Sequence, residues 1–363
     1  MADHPNQGFL ARAHKFAFCL SIIYALVIIL LAIPSIQRHV LYQHSLRFPW
    51  YARFDLPEKY GLAPGKTLNL KVTTSDNVTL GGWFILSEPY YQNLRKTSAT
   101  PLPAQPSLDV IQDAIDVYPT ILFLHGAAAT RAVARRIQHY SSFSSRLQTN
   151  VFAIDYRGFG DSEGIPSGDG LAEDAYTAWM WLLEQGARAS DILVVGHSLG
   201  TAVASRLAAR LTLEGVKSRV YGHPHSTAAA ELCTRPKARQ KLVHHEFDTL
   251  SIIQEFNVPT LLAHAIDDEE IPHLHSQTLL DRLLDLYLPP VVPLPSSAGI
   301  TAGARNELVR KIEVPSFGTV EEFDGRAGKV VYVESLWGTH REVGVQEGVQ
   351  DVIASTFRLG GPK

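Results

Sequence analysis

The chain has 363 residues, of which 45% are hydrophobic and 19% are charged, and this composition is typical of a globular protein with a large core. Its formal net charge of −3 gives no reason to expect a nucleic-acid partner. The two cysteines are Cys19 and Cys233, and Cys19 lies inside an apolar run, so they do not indicate a disulfide framework. Cysteine usage therefore does not indicate a redox compartment.

The first predicted element is an uncharged run from Phe16 to Ile33. A helix over this run spans roughly 27 Å, close to the roughly 30 Å of a bilayer's hydrocarbon core. We therefore predict a single membrane anchor over residues 16–34, after a short tail over residues 1–15. A cleaved signal peptide is the alternative, although the run is longer than a typical apolar signal region and lacks a clear Ala-x-Ala site. A buried core helix is a third interpretation, but such helices usually have a polar face.

The charges that flank the anchor do not determine its orientation. Arg12 and Lys15 precede the run and three arginines follow it, so the positive-inside rule gives no clear result. The tripeptide Asn77-Val78-Thr79 is an N-glycosylation acceptor in a predicted turn, which fits a lumenal domain.

Residues 35–363 predict one α/β domain. Alternating apolar residues on either side of a polar turn at residues 75–77 indicate a β-hairpin. An alternation of buried strands and amphipathic helices follows, which predicts a mostly parallel central sheet with helices on both faces. The predicted strands lie at 120–126, 151–162, 191–198, 260–268 and 329–335, and the predicted helices lie at 130–147, 171–185, 201–211 and 345–357.

The pentapeptide Gly196-His197-Ser198-Leu199-Gly200 matches G-x-S-x-G between a buried strand and a helix of small residues. In that context Ser198 is a candidate nucleophile on a strained strand-to-helix turn. Side chains at Gly196 or Gly200 would collide with the backbone of such a nucleophile elbow. The alternative is a glycine-bounded turn in an ordinary α/β domain.

A serine nucleophile needs a base, and the base needs an orienting acid. In α/β-hydrolases these residues follow in the order Ser, Asp or Glu, His. The strand at 260–264 runs into Ala-Ile-Asp-Asp-Glu-Glu, and an acid there lies at the same sheet edge as the serine turn. His340 follows the last predicted strand and is the candidate base; its alternative is a surface histidine.

The same fold predicts an oxyanion hole made of two backbone N–H groups. One belongs to Leu199, the residue after the nucleophile. The other is expected from Ala127, in the loop after the strand at 120–124. Alanine is acceptable there because only the backbone acts.

Several motifs together resemble membrane-anchored α/β-hydrolases of the monoacylglycerol lipase and lysophospholipase type, nearest to the α/β-hydrolase domain-containing protein 12 branch, in a fungal-looking version. They are HGAAATRA, IDYRGFGDSEGIPS, GHSLGTAVA, HAIDDEEIP and GTHRE. The resemblance implies an α/β-hydrolase fold and a serine lipase that faces the endoplasmic-reticulum lumen, acts on lipid esters and requires no cofactor. Aligning HAIDD with the family's motif gives Asp268 as the catalytic acid, with Asp267 as the alternative.

Two regions depart from the family's pattern. Residues 214–250 are polar and irregular where an inner strand is expected, and only Ser218–Gly222 is a candidate for it. Either a cryptic strand forms over Lys217–Gly222 or the region is truncated, which would leave backbone groups of the sheet unpaired. Residues 286–328 are predicted to be an inserted loop, with the Pro- and Gly-rich part at Leu288–Glu307.

Other polar groups have weaker patterns. The histidine clusters at 223–225, 244–246 and 273–275 lack the H-E-x-x-H spacing of a helical metal site, so no metal is predicted. Arg157 and Asp161 are expected to shape the rim of the site rather than to act in catalysis. The arginines at 131, 135 and 136 are expected on the solvated face of a helix, where anionic lipid head groups are an alternative partner.

Two classes of function remain. The first is a membrane-anchored serine hydrolase that cleaves carboxylic esters of lipids, and Ser198, Asp268 and His340 favour it. The second is a catalytically inactive α/β-hydrolase fold that acts as an interaction protein, and the irregular region at 214–250 favours it. A peptidase or thioesterase uses the same three residues, because the triad sets acyl transfer and not the acyl group.

Overall fold

The computed structural model describes residues 8–216, 219–223, 248–288 and 297–363. Within these ranges the chain forms one mixed sheet in the order β1-β2-β4-β3-β5-β6-β7-β10-β9-β8. The six strands from β4 to β10 are parallel, and the outer strands on both sides pair antiparallel. The strands are β1 Thr67–Thr73, β2 Thr79–Ile85, β3 Thr120–Leu124, β4 Asn150–Ile154, β5 Ile192–His197, β6 Arg219–His223, β7 Thr260–Ala265, β8 Arg310–Val314, β9 Gly318–Gly325 and β10 Gly328–Ser335.

Helices cover both faces of this sheet, as the sequence predicts. Alternate residues of β3 separate two apolar clusters: Leu122 packs in the cluster that holds α6 and α7, and Phe123 packs in the one that holds α5 and α12. The helices are α1 Phe9–Leu31, α2 Pro34–Tyr42, α3 Glu88–Thr97, α4 Leu108–Val117, α5 Ala134–Ser145, α6 Gly168–Glu184, α7 Leu199–Leu213, α8 Thr249–Ile252, α9 Leu274–Leu284, α10 Ser297–Leu308, α11 Thr339–Glu342 and α12 Glu347–Phe357.

The inner strand in doubt is present as β6. It pairs parallel with β5 on one side and with β7 on the other, so the sheet is continuous. Val220 and Tyr221 are its buried apolar side chains. A strand forms over so short an apolar segment because the neighbouring strands on both sides supply hydrogen bonds. Residues 217–218 and 224–247, and with them most of the irregular segment and the histidines at 225, 244 and 245, lie outside the described residues.

The prediction of an inserted loop over 286–328 is wrong for much of that range. Helix α10 is followed by β8 and β9, which extend the sheet beyond β10. Charged residues in these strands obscure the apolar pattern by which a strand is predicted from the sequence. Glu321 pairs with Arg305 and Lys311, and Glu322 pairs with Arg310 and Lys329. Residues 289–296 lie outside the described residues.

The N-terminal apolar helix is α1. Its segment Ala11–Leu31 has a mean hydropathy of 2.2 and is not buried against the rest of the chain, so its length and composition suffice to cross a membrane. A signal sequence has the same properties. The helix begins before the predicted boundary and ends at Leu31, because Pro34 starts the separate helix α2.

Candidate active site

Ser198 lies on the sharp turn between β5 and α7, with φ 53° and ψ −123°. A Cβ on Gly196 would lie 2.5 Å from the carbonyl oxygen of Gly200, and a Cβ on Gly200 would overlap the carbonyl oxygen of Leu124. A side chain at either glycine would therefore collide with the backbone of this turn. Only close contact between helix and strands allows this strained serine backbone to persist.

The structure brings the three candidate side chains together. His340 Nε2 lies 3.0 Å from Ser198 Oγ, and His340 Nδ1 lies 2.9 Å from Asp268 Oδ2. Because a carboxylate only accepts, Nδ1 carries the proton and Nε2 is left to accept from the serine hydroxyl. Only 5% of His340 is exposed, so it is not a surface histidine. Asp267, the alternative acid, instead accepts a hydrogen bond from the Thr339 N–H at 2.7 Å.

The carboxylate of Asp268 accepts hydrogen bonds at both oxygens. Oδ1 accepts from the backbone N–H groups of Glu270 and Ile271, at 2.9 and 2.8 Å, and Oδ2 lies 3.0 Å from His264 Nε2. Burial alone would raise the pKa of Asp268, but the hydrogen bonds from His264, His340 and Ile271 lower that pKa well below its usual range. Asp268 is therefore ionised at neutral pH.

His264 is a buried residue of the site that the sequence analysis did not identify. Its Nδ1 is bonded to the hydroxyl of Ser276, which is also fully buried, and its Nε2 faces Asp268. Because the Asp268 carboxylate only accepts, Nε2 of His264 carries the proton and donates a hydrogen bond to the carboxylate. Nδ1 then accepts from the Ser276 hydroxyl. The available signal was a histidine in the otherwise apolar strand β7, four residues before the acid.

His197, the second residue of the pentapeptide, also supports the base. Its Nε2 lies 3.0 Å from the backbone carbonyl oxygen of His340, and the two rings lie 5.5 Å apart. The backbone of the base is therefore tied directly to the strand that precedes the serine.

The loop after β3 holds Ala127 beside the serine: a Cβ on the neighbouring Gly126 would lie 3.0 Å from Ser198 Cβ. Arg136 Nη2 donates to the carbonyls of Gly126 and Ala128, at 2.9 and 2.7 Å. On the other side, the N–H groups of residues 128, 129 and 130 donate to the carbonyls of residues 42, 46 and 48, at 2.9, 2.6 and 2.9 Å. The segment that follows α2 thus fixes the loop in which an oxyanion donor is predicted.

The arginines that precede and begin α5 differ from their prediction. Arg131 and Arg136 are buried, and only Arg135 is exposed, so a solvated face is wrong for two of the three. Arg131 is compensated by the carboxylates of Asp155 and Asp161, at 2.7 and 2.6 Å. Buried carboxylates and backbone carbonyls replace the water that the sequence pattern implies.

Arg157 and Asp161, which we expect from the sequence to shape the rim of the site, both form ion pairs. Arg157 pairs with Asp76 and Asp174, at 2.6 and 2.8 Å, and Asp161 pairs with Arg131 and Lys71. Within the described residues no group of three or more His, Cys, Asp or Glu side chains is placed to hold a metal ion.

Comparison with known proteins agrees with this architecture. Two lysophosphatidylserine lipases named ABHD12 are similar to the chain. The one from Xenopus tropicalis is 28% identical over 74% of this chain and 71% of its own length, and the one from Danio rerio is 27% identical over 80% and 79%. The solved structure of a puromycin-hydrolyzing peptidase from Mycobacterium tuberculosis has a TM-score of 0.50 and 14% identity, over 81% of this chain and 40% of that one.

A sequence model of one family matches residues 121–349, which run from β3 to the start of α12 and include the serine turn, the acid loop and the histidine. Since this match covers well over half of the chain, the protein belongs to the alpha/beta hydrolase family.

Proposed function

We propose that this carboxylic ester hydrolase is a membrane-anchored serine lipase that cleaves esters of single-chain lipids, namely lysophospholipids or monoacylglycerols. The observation that carries the proposal is His340, whose two ring nitrogens lie within hydrogen-bond distance of Ser198 Oγ and Asp268 Oδ2. A buried imidazole between a strained serine and an ionised carboxylate is the arrangement that activates a hydroxyl for acyl transfer.

Each of the three residues has a distinct role in the proposed mechanism. Ser198 attacks the ester carbonyl while His340 Nε2 takes its proton and then returns that proton to the leaving alcohol. Asp268 holds the tautomer with the proton on Nδ1 and stabilises the imidazolium that forms. Water then attacks the acyl-enzyme by the same route and releases the fatty acid.

The oxyanion that forms on the substrate is assigned to the N–H groups of Leu199 and Ala127. Leu199 is the first residue of α7, where a backbone N–H has no partner within the helix and the helix dipole favours negative charge. Arg136 and the segment after α2 hold the loop of Ala127. Loss of one such donor typically lowers the rate by about 10²–10³.

The lipid substrate is supported by the relatives and by α1. The similar proteins from Xenopus and Danio are named lysophosphatidylserine lipases. Helix α1 is long and apolar enough to hold the enzyme at a bilayer, where lipid esters are concentrated. We assign the catalytic domain to the endoplasmic-reticulum lumen, and the sequon at Asn77, whose φ of 63° is that of a tight turn, is compatible with this side.

The proposal is tested by labelling the detergent-solubilised full chain with a fluorophosphonate. We expect labelling of the wild type and its loss in Ser198→Ala. Ser205→Ala is the matched control, because Ser205 is also a buried serine and lies on α7, the helix that follows Ser198, where its hydroxyl donates to the Thr201 carbonyl. A folded wild type that takes no label would favour the inactive interaction protein.

A substrate panel separates the lipase from its alternatives. The labelled enzyme is given a lysophospholipid, a monoacylglycerol, a long-chain acyl thioester and a peptide amide under the same conditions. Higher kcat/KM for the two lipid esters supports the proposal. A preference for the thioester or the amide would replace it with a thioesterase or a peptidase.

A further inference from the structure

Large apolar side chains are exposed on the loops around Ser198. They lie after α2, after β4, after β7 and after β10. We call this set the apolar rim: Phe48, Trp50, Ile165, Ile266, Leu336 and Trp337. The apolar rim contains two tryptophans, Trp50 and Trp337, whose exposed fractions are 56% and 64%.

The rim lies at one edge of the sheet. Ile165 follows β4, Ile266 follows β7, and Trp337 follows β10, and parallel strands end at the same edge. The Ile266 N–H donates to the Ser335 carbonyl at 2.8 Å, so the last two loops are in direct contact. Trp337 precedes His340 by three residues, which places this side of the rim beside the candidate base.

Phe48 and Trp50 reach the same edge from the N-terminal segment. The Phe48 carbonyl accepts from the Thr130 N–H at 2.9 Å, so it lies against the loop after β3. The rings of Phe48 and Trp50 are 4.5 Å apart. In the sheet, β3 lies on one side of the serine strand β5, whereas β7 and β10 lie on the other. The two tryptophans therefore flank Ser198 from opposite sides.

A short connection joins this edge to the apolar helix. Only α2, with nine residues and a length of about 14 Å, separates the end of α1 from the segment that binds the loop after β3. Tyr42, the last residue of α2, is fully buried, and its carbonyl accepts from the Ala128 N–H at 2.9 Å. A bilayer that holds α1 therefore lies close to the active-site edge.

We propose that the apolar rim rests on the bilayer in which α1 is embedded, so that the mouth of the active site faces the lipid. This inference rests on the proposed membrane anchor. Aromatic side chains prefer the membrane interface because their rings are apolar and their N–H groups remain hydrated. Arg47, whose Nη2 donates to the Gly158 carbonyl at 3.2 Å, lies in the same segment, where a cation favours anionic head groups. A single-chain lipid ester then reaches Ser198 without passing through water.

The opposite edge of the molecule supplies a matched control. Leu213 ends α7 and is 82% exposed. Because α7 begins beside Ser198 and has 15 residues, Leu213 lies about 22 Å from the serine along the helix axis. It is an exposed apolar residue that the proposed bilayer contact does not include.

The test uses the full chain reconstituted in vesicles that contain lipid with a nitroxide near the head group. The chain has 5 tryptophans, of which Trp83 and Trp179 are fully buried. We expect nitroxide lipid to quench the wild type, and we expect Trp50→Phe and Trp337→Phe each to remove part of that quenching. A tryptophan introduced by Leu213→Trp is expected to be quenched by aqueous acrylamide and not by the lipid.

The alternatives give different results. If the chain floats with the vesicles but Trp50 and Trp337 are quenched only by acrylamide, the rim faces water and the inference is overturned. If the chain does not float, both the anchor and the rim contact are rejected, whereas fluorophosphonate labelling still tests the hydrolase. If both quenchers are excluded only as protein concentration rises, a second copy of the chain covers the rim and the bilayer contact is wrong.

Activity gives a second readout. In the double variant Trp50→Ser/Trp337→Ser we expect the rate on a lysolipid in vesicles to fall about tenfold relative to the rate on a soluble short-chain ester. Leu213→Ser is expected to leave that ratio unchanged. An equal loss on both substrates would show that the two tryptophans support the fold of the site and not its contact with lipid.

Discussion

Two buried aspartates lie at the same edge of the sheet but differ in the groups that surround them. Asp155 follows β4 and Asp268 follows β7, and burial alone would raise the pKa of each. In both cases hydrogen bonds and opposite charges outweigh burial and lower the pKa, to about 2 for Asp155. Each carboxylate also lies beside a histidine, His125 for the first and His340 for the second.

The difference is in the other partners. Asp155 pairs with the permanent charge of Arg131, and both ring nitrogens of His125 face protein groups, the Asp155 carboxylate and the Gly126 carbonyl. Burial, aided by the charge of Arg136, lowers the pKa of His125 to about 4, so it stays neutral. The second nitrogen of His340 instead reaches a serine hydroxyl. A buried Asp–His pair becomes an acid–base device only where the histidine keeps one nitrogen for the reacting group.

The largest expected effect separates Asp268 from its neighbour. We expect Asp268→Asn to lower kcat about 10⁴-fold, because an amide no longer holds the histidine tautomer that accepts the serine proton. Asp267→Asn, which keeps an oxygen to accept from the Thr339 N–H and removes only the charge, is expected to cost less than about tenfold. Steady-state kinetics on a lysolipid compares the two. An equal loss in both variants would make Asp267 the acid.

Asp155→Asn is expected to affect stability instead of chemistry. It leaves the buried guanidinium of Arg131 without its main counter-ion, a change that typically lowers the free energy of unfolding by about 3–5 kcal/mol. Asp161→Asn is the matched variant, because Asp161 is the second, half-exposed carboxylate on the same arginine. Urea denaturation in detergent measures both. A smaller effect for Asp155→Asn than for Asp161→Asn would contradict the ranking.

Arg136→Met tests the hydrogen bonds by which Arg136 holds the loop of Ala127, which we call the clamp. Removing the guanidinium releases the carbonyls of Gly126 and Ala128, and we expect kcat to fall about 10²-fold, as for the loss of one oxyanion donor. Arg135→Met is the control, because its side chain is exposed and one position away. Thermal melting of both variants distinguishes a displaced loop from a general loss of fold. Equal kinetics in the two variants would show that the clamp is unimportant.

His264 is expected to act as a positioning residue for Asp268. His264→Ala should lower kcat about tenfold with little change in KM, and His264→Gln, whose amide can donate to the carboxylate, should recover much of the loss. Recovery by His264→Gln is the measurement that distinguishes a hydrogen-bonding role from a structural one. Equal losses of kcat in His264→Ala and His264→Gln would indicate only a packing role.

The same comparison predicts a pH dependence of stability. The pKa of Asp155 is about 2 in the folded protein and about 3.8 in an unfolded chain. The folded state therefore binds this proton less tightly, so the stabilisation is complete above the higher value and is lost as pH falls towards the lower one. Unfolding midpoints between pH 5 and pH 3 should fall in the wild type and fall less in Asp155→Asn.

Much of the serine turn was predictable because its sterics are local. Gly196 and Gly200 are needed wherever a helix packs this closely behind a strand, so a pentapeptide and its flanks suffice to predict the turn. The order of Ser198, Asp268 and His340 along parallel strands likewise follows from the topology. These features depend on few contacts that are distant in sequence.

Other features depend on partners that a linear pattern does not contain. Strand β6 has only two buried apolar side chains, and hydrogen bonds from both neighbouring strands stabilise it. The charges on β9 lie opposite lysines and arginines of other elements. Arg131 and Arg136 resemble surface residues until their buried acceptors are known. In each case tertiary pairing outweighs local composition.

The distance along the chain between Ser198 and His340 has a consequence for biosynthesis. The two residues are 142 positions apart, and β10, which precedes the histidine, docks beside β7 late in the chain. At about 5–20 residues per second, the ribosome delivers the histidine roughly 7–28 s after the serine. During that interval the nascent polypeptide holds the candidate nucleophile without its candidate base, so the partly synthesised chain does not yet contain the proposed catalytic apparatus.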